Sequence, residues 1–288
     1  MDQRLIALYD DYTHARIDRR IFLDGLTKIA GTTAAGLALV QTIAADPAAA
    51  ALVPADDPDL DTSEVTYGYE DKQIRAYRAA PKDASGPLPG IVVIHENRGL
   101  NAHIEDVARR AAKAGFVALA PDVLSLSGGT PKDEDQAREM IGKLDAKQAV
   151  GALATAVTWL SEQPGVNGKV GVVGFCWGGG MAGQVAAADP KGLGGAVVFY
   201  GRTVEPEKVP SIKVPLLLNY AGLDERINAG IPEFQAALDK AGVRYDLFVY
   251  EKVNHAFHND TSEARYDKAA AELAWNRTID FFKESLTA

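Results

Sequence analysis

A single cysteine, Cys176, stands among 288 residues, which excludes an internal disulfide framework and any multi-cysteine zinc site. Long apolar runs are absent too: no stretch reaches the ~18 consecutive strongly apolar residues of a membrane span. Positive charge is the minority sign, with 30 Lys+Arg against 39 Asp+Glu and a net charge of −9. No Lys/Arg-rich stripe offers a face to nucleic acid. What is present, 47% hydrophobic and 24% charged residues, suits a globular chain with a sizeable core.

The first 63 residues differ from the rest and are set apart as an N-terminal leader or extension with its linker. Asp18-Arg19-Arg20-Ile21-Phe22-Leu23 resembles the Arg-Arg-x-Phe-Leu core of a twin-arginine export signal. A weakly apolar run follows over 29–45, then the small residues Ala48-Ala49-Ala50 that would present a cleavage site. This pattern predicts export to the periplasm. Residues 1–20 balance four arginines with four aspartates, and Lys28 interrupts the apolar run; a retained helical extension in a cytoplasmic protein is the alternative. A retained apolar leader would be a natural element for homodimer formation. Residues 52–63, acidic and proline-bearing, read as a linker.

From residue 64 to 288 the periodicity alternates between strand and helix. Alternating runs at 64–70 and 73–79 flank Asp71-Lys72 as a hairpin. Continuous apolar runs at 90–94, 116–120, 170–175, 196–200, 215–220 and 245–250 suit parallel strands covered on both faces. Helical patterns at 102–114, 134–163, 178–188, 231–241 and 262–286 lie between and beyond them. The fold class is therefore α/β, one open, mostly parallel sheet with helices on both faces.

One segment carries chemistry. The strand at 170–175 runs into Gly174-Phe175-Cys176-Trp177-Gly178 and then a helix. In an α/β-hydrolase the nucleophile sits on such a sharp strand-to-helix turn, with glycines where side chains would collide. The helix N-terminus favours the negative charge of a thiolate and of an oxyanion. Triad order then places the acid and the base later in the chain. Asp224 follows the 215–220 strand, with Glu225 as runner-up. His255 follows the 245–250 strand, with His258 as its rival in the same loop. His95 precedes the nucleophile, His103 sits in a helical first turn as a solvated polar residue, and His14 belongs to the leader. A metal site built from His95, Glu96, His255 and His258 lacks the spacing of a known ligand set.

These residues resemble the dienelactone hydrolase (carboxymethylenebutenolidase) family, over roughly 64–288. Gly174 to Gly179, then Asp224 and His255 in order, carry the resemblance, together with Val93 to Asn101 and Ala120-Pro121-Asp122. The family implies an α/β-hydrolase that opens lactones or esters with neither metal nor organic cofactor. It also implies that Glu96 touches the resting thiol and helps generate the thiolate. The oxyanion hole would be the backbone N–H groups of Asn97 and Trp177, the second being the residue after the nucleophile. The family binds its substrate carboxylate through two arginines. Arg138 is the counterpart of one, while Asn259 stands where the other is expected. Arg98, Arg202, Arg226 and His258 are further candidates for substrate binding. Other acyl hydrolases (amidase, thioesterase, peptidase) use the same constellation. A non-catalytic thiol sensor would lack the resolving cysteine common in such proteins.

Overall fold

The apolar runs become one eight-stranded sheet in the computed structural model, which describes residues 2–14, 16–44 and 51–287. The strands are β1 (Leu60–Tyr69), β2 (Lys72–Pro81), β3 (Leu88–Ile94), β4 (Val117–Pro121), β5 (Val166–Phe175), β6 (Leu193–Phe199), β7 (Leu216–Ala221) and β8 (Tyr245–Tyr250). Their spatial order is β1-β2-β4-β3-β5-β6-β7-β8. The pairings of β1 with β2 and of β2 with β4 are antiparallel, and all pairs from β4 to β8 are parallel. Burial on both faces explains why β3 to β7 read as unbroken apolar runs rather than alternating ones.

The helices are α1 (Gln3–Thr13), α2 (Arg19–Ala30), α3 (Thr33–Ile43), α4 (Ala102–Lys113), α5 (Glu134–Lys143), α6 (Ala146–Ser161), α7 (Trp177–Ala188), α8 (Glu225–Asn228), α9 (Ile231–Ala241) and α10 (Lys268–Leu286). One core layer joins the sheet to α6, α7 and α9 through residues such as Leu153, Val185 and Leu238. The other joins it to α4 and α10 through Val107, Ala111 and Phe282. The dense packing of Phe282 against β5 is set by Gly171, where any Cβ would collide with its ring.

Three expectations need correction. The pattern at 134–163 is two helices, because Leu144 turns extended (ψ 137°) and Asp145 caps a fresh start by accepting from the Gln148 N–H at 2.8 Å. The last helix begins at Lys268 rather than 262, since Asp267 caps it through the Ala270 N–H at 2.9 Å. Residues 60–63 are strand, not linker: they pair with 78–81, and Leu60 is buried.

The extension is folded onto the body. Leu5, Tyr9, Phe22, Leu26 and Ile43 bury one another, with Ala264 of the body packed against them. Polar ties fix its placement: Ser262 Oγ donates to the Ile43 carbonyl at 2.7 Å, and Arg265 pairs with Asp10 at 3.3 Å. The twin arginines Arg19 and Arg20 stand exposed at the start of α2, while the expected cleavage residues Ala48–Ala50 lie outside the described residues.

Phe282→Ala should destabilise the protein by about 3–5 kcal/mol, as expected for a large fully buried ring. Denaturant melts will measure it; a loss under ~1 kcal/mol would contradict the packing of α10 on the sheet.

Candidate active site

The site begins where β5 ends. Cys176 has φ 56° and ψ −115°, a backbone region that side chains rarely occupy and that costs about 1–3 kcal/mol. The turn closes tightly: a Cβ on Gly174 would overlap the Gly178 carbonyl, and one on Gly178 would overlap the carbonyls of Ile94 and His95. The neighbourhood shares the strain, for Tyr200 (φ 39°) and Ala256 (φ 64°) are also left-handed. Such outliers persist only where surrounding structure over-determines them. Here the Cys176 N–H donates to the Phe199 carbonyl at 3.0 Å and the Cys176 carbonyl accepts from the Gly180 N–H at 3.2 Å. Trp177 opens α7, so its N–H has no partner within the helix.

His255 and Asp224 meet from the loops after β8 and β7. Their contact, His255 Nδ1 to Asp224 Oδ2, is 2.5 Å, and both side chains are buried. Asp224 also accepts from the Ile227 N–H at 3.2 Å and lies 3.9 Å from Arg226. Burial disfavours the Asp224 carboxylate, but the charge and hydrogen bond of His255, with Arg226, hold it below its usual range. Burial likewise works against a charged His255; the thiolate charge of Cys176 and the carboxylate of Asp224 outweigh it, and the ring is pushed up to about 10. These shifts keep His255 and Asp224 an ion pair, a charged imidazolium on a carboxylate.

Glu96 lies buried in the loop after β3, where Asn259 Nδ2 donates to it at 2.8 Å and Tyr200 Oη at 3.4 Å. Burial would raise its carboxyl, yet the charges of His103, Arg265 and Arg98 and the Asn259 bond keep it low. Asn259, expected at a substrate-binding position, is thus a partner of Glu96. The polar group within hydrogen-bond reach of Cys176 Sγ is a side chain outside the expected set. His14, at the C-terminal cap of α1, places Nε2 3.2 Å from Cys176 Sγ. Its ring meets that of His255 edge-on at 4.8 Å, and its Nδ1 is 2.7 Å from the Asp10 carbonyl. Burial, then the charges of His255 and Arg226, lower the His14 pKa well below its ordinary value, so the ring is neutral. Beside it, the Thr13 carbonyl accepts from Asn97 Nδ2 at 2.7 Å.

A cavity of about 880 Å³ opens above Cys176 and is lined by His14, Asn97, Trp177, Tyr200, Arg226 and His255, among others. Arg138, Arg202, Lys147 and Lys208 add positive charge, against Glu205 on the acidic side. Arg138 is held there by stacking on Tyr12 at 4.2 Å and pairing with Asp135 at 2.9 Å.

Two substrate-binding assignments fail. Arg98 is buried and engaged by the Tyr9 hydroxyl and by Glu134 (3.2 Å), outside the cavity lining. His258 is stacked on Phe175 at 4.9 Å and packed near Phe199 and Trp275, and burial followed by the charges of Arg110 and His103 drives it neutral. His103 is buried 3.0 Å from Asp260 rather than solvated. His95 is satisfied on both ring nitrogens, by the Glu96 carbonyl and the Val123 N–H, and takes no part in a metal cluster with Glu96 and His258.

With this geometry in view, comparison with known proteins is decisive. The dienelactone hydrolase family model matches residues 74–286. The chain belongs to the dienelactone hydrolase family. A second model, described as YqhI-like, matches residues 1–31. A Methylorubrum extorquens protein provisionally named a carboxymethylenebutenolidase is 34% identical over 274 residues, 90% of this chain and 92% of its own. A Saccharolobus solfataricus protein of the same provisional name is 34% identical over 258 residues, covering 76% and 97%. Among solved structures, a Klebsiella pneumoniae protein provisionally named a dienelactone hydrolase aligns with TM-score 0.71 at 28% identity, over 78% of this chain and 98% of its own. The protein is a dienelactone hydrolase-type hydrolase with the α/β-hydrolase fold.

Histidine NMR titration tests the electrostatics of the family site. The His255 resonance should stay protonated past pH 9 and titrate near 10, while His14 stays neutral at pH 6.5, because its pKa lies well below that value. Because the folded pKa of His255 is raised, its contribution to stability is complete below the unfolded value of ~6.5 and disappears as pH climbs through about 10. Asp224→Asn removes a raising charge and should move the His255 titration downward. Titration of His255 near ~6.5 in the unmodified protein would contradict this picture.

Proposed function

We propose that the protein opens a small lactone or cleaves a small carboxylic ester through an acyl-enzyme on Cys176. The observation that carries this reading is the strained elbow that presents Cys176 to the same cavity as the buried His255–Asp224 pair, whose contact is 2.5 Å. In the proposed reaction the Cys176 thiolate adds to the substrate carbonyl. The oxyanion that forms takes hydrogen bonds from the Asn97 and Trp177 N–H groups; each such donor contributes roughly 3–4 kcal/mol to barrier lowering. Collapse expels the alkoxide, which in a lactone stays tethered to the acyl group, and His255 gives it the Nε2 proton. The same nitrogen then takes a proton from water as the hydroxide attacks the thioester. The second collapse releases the carboxylate and regenerates the thiolate. Asp224 holds the ring oriented throughout.

The basic lining supports a substrate that itself carries an anionic group. Arg138, Arg202 and Arg226 supply planar donors in an otherwise acidic protein. A carboxylate-bearing lactone or ester would place its charge toward these residues and its carbonyl at Cys176. No metal or organic cofactor enters these steps.

The N-terminal extension is proposed to be a retained cap, not a removed export leader. Cleavage at Ala48–Ala50 would carry away His14 and Thr13, which line the cavity. Its buried apolar residues are spent within its own chain, which favours a cap over a dimerisation element. Intact-mass measurement of the natively expressed protein should give the full chain, whereas a periplasmic product beginning near residue 51 would favour the twin-arginine reading.

An aryl-ester and lactone panel tests the chemistry. Cys176→Ala should lose at least ~10³-fold in turnover, as nucleophile removal does in triad enzymes. Retained turnover in that variant would overturn the cysteine mechanism. Neutralising the cavity with Arg202→Gln should raise KM for carboxylate-bearing substrates more than for neutral ones. Equal changes would remove the argument for an anionic substrate.

A further inference from the structure

The His14–Cys176–His255 cluster has a property that acyl transfer leaves unused. A ring nitrogen from each histidine and the cysteine sulfur lie within 4.8 Å of one another. The far nitrogen of each ring is tied: His14 Nδ1 to the Asp10 carbonyl at 2.7 Å, His255 Nδ1 to the Asp224 carboxylate at 2.5 Å. Both ties select the tautomer that turns an Nε2 lone pair toward the sulfur whenever the ring is neutral. Histidines that hold transition metals are oriented in this way, with the other N–H on a carbonyl or carboxylate. His255 Nε2 is buried in a side chain only 3% exposed and has no hydrogen-bond partner.

We propose that these three side chains form a binding site for a zinc-type divalent ion, with Cys176 thiolate, His14 Nε2 and His255 Nε2 as ligands and the fourth position open to the cavity. Zn–N bonds of ~2.0–2.1 Å and a Zn–S bond of ~2.3 Å in a tetrahedron put ligand atoms roughly 3.3–3.6 Å apart. The existing 3.2 Å from His14 Nε2 to Cys176 Sγ is close to that spacing, and only the His255 side needs to draw in, by at most about 1.5 Å from the 4.8 Å limit. Two imidazoles and one thiolate suit a borderline-soft ion such as Zn²⁺ over Mg²⁺ or Ca²⁺. Whichever of Cys176 Sγ and His255 Nε2 carries it, one proton leaves to solvent as the ion enters, so one proton is released per ion bound. An ion there occupies both the sulfur and the base, and hydrolysis stops. Binding rests on geometry alone; silencing rests on reading Cys176 as the nucleophile.

Cobalt(II) titration of the tag-free, full-length protein separates the two, because its readout needs no turnover. One equivalent should produce a thiolate-to-cobalt charge-transfer band, which Zn²⁺ displaces and Mg²⁺ does not. Cys176→Ala should abolish the band. His14→Ala should weaken binding by at least ~10-fold, and His14→Gln, which fills the same space with a polar group, should do the same with an unchanged melting temperature. No band in the unmodified protein, or a band of equal affinity in both His14 variants, would overturn the site. If the band forms while ester turnover continues at saturating Zn²⁺, the silencing is wrong.

Discussion

Everything at the site depends on a turn that only glycine neighbours permit. Cys176 is held at φ 56° because Gly174 and Gly178 allow β5 and α7 to approach without side chains between them. That geometry lifts the sulfur out of the sheet to the floor of the cavity and leaves the Trp177 N–H free at a helix start. The strain is stabilised from below by the two core layers that clamp the sheet, so the rigidity of β3 to β7 is what makes the turn affordable. Loops after β7 and β8 then bring Asp224 and His255 together beside the cavity, while Glu96, after β3, is held by Asn259 and Tyr200.

The second organising feature is charge confined in a dry place. His255 is raised and His14 is lowered although their rings are 4.8 Å apart. Burial opposes charge on both rings; on His255 the Cys176 and Asp224 charges outweigh it, whereas on His14 the charges of His255 and Arg226 add to it. Glu96 stays charged under burial through a cationic surround and Asn259. Asn259, at the position where an arginine was expected to bind substrate, instead fixes this carboxylate, while Arg138, Arg202 and Arg226 line the cavity.

Much of this was legible in the chain because it is local. The parallel sheet followed from two-faced burial of short apolar runs, and the elbow from five consecutive residues. Asp224 and His255 followed from chain order once the elbow was placed. What could not be read depends on contacts across long separations. His14 lies 162 positions from Cys176, and nothing in its own neighbourhood marks it as more than a helix-end residue. Arg98 looked available for substrate because its partners, Tyr9 and Glu134, come from other elements. His258 shared a loop with His255, but only packing reveals that it points into the aromatic cluster of Phe175, Phe199 and Trp275. The break between α5 and α6 was hidden because the apolar spacing continues through Leu144 while the backbone does not.

The extension reaches the site. The end of α1 brings Thr13 and His14 to the cavity lining. The most direct test of the proposed chemistry is rapid acid quench of the enzyme with a slowly deacylating aryl ester, followed by peptide mass analysis. An acyl group on the peptide containing Cys176, appearing and decaying at the rates of turnover, is the predicted result. Turnover with no adduct on Cys176, or with the acyl group on another side chain, would contradict the account.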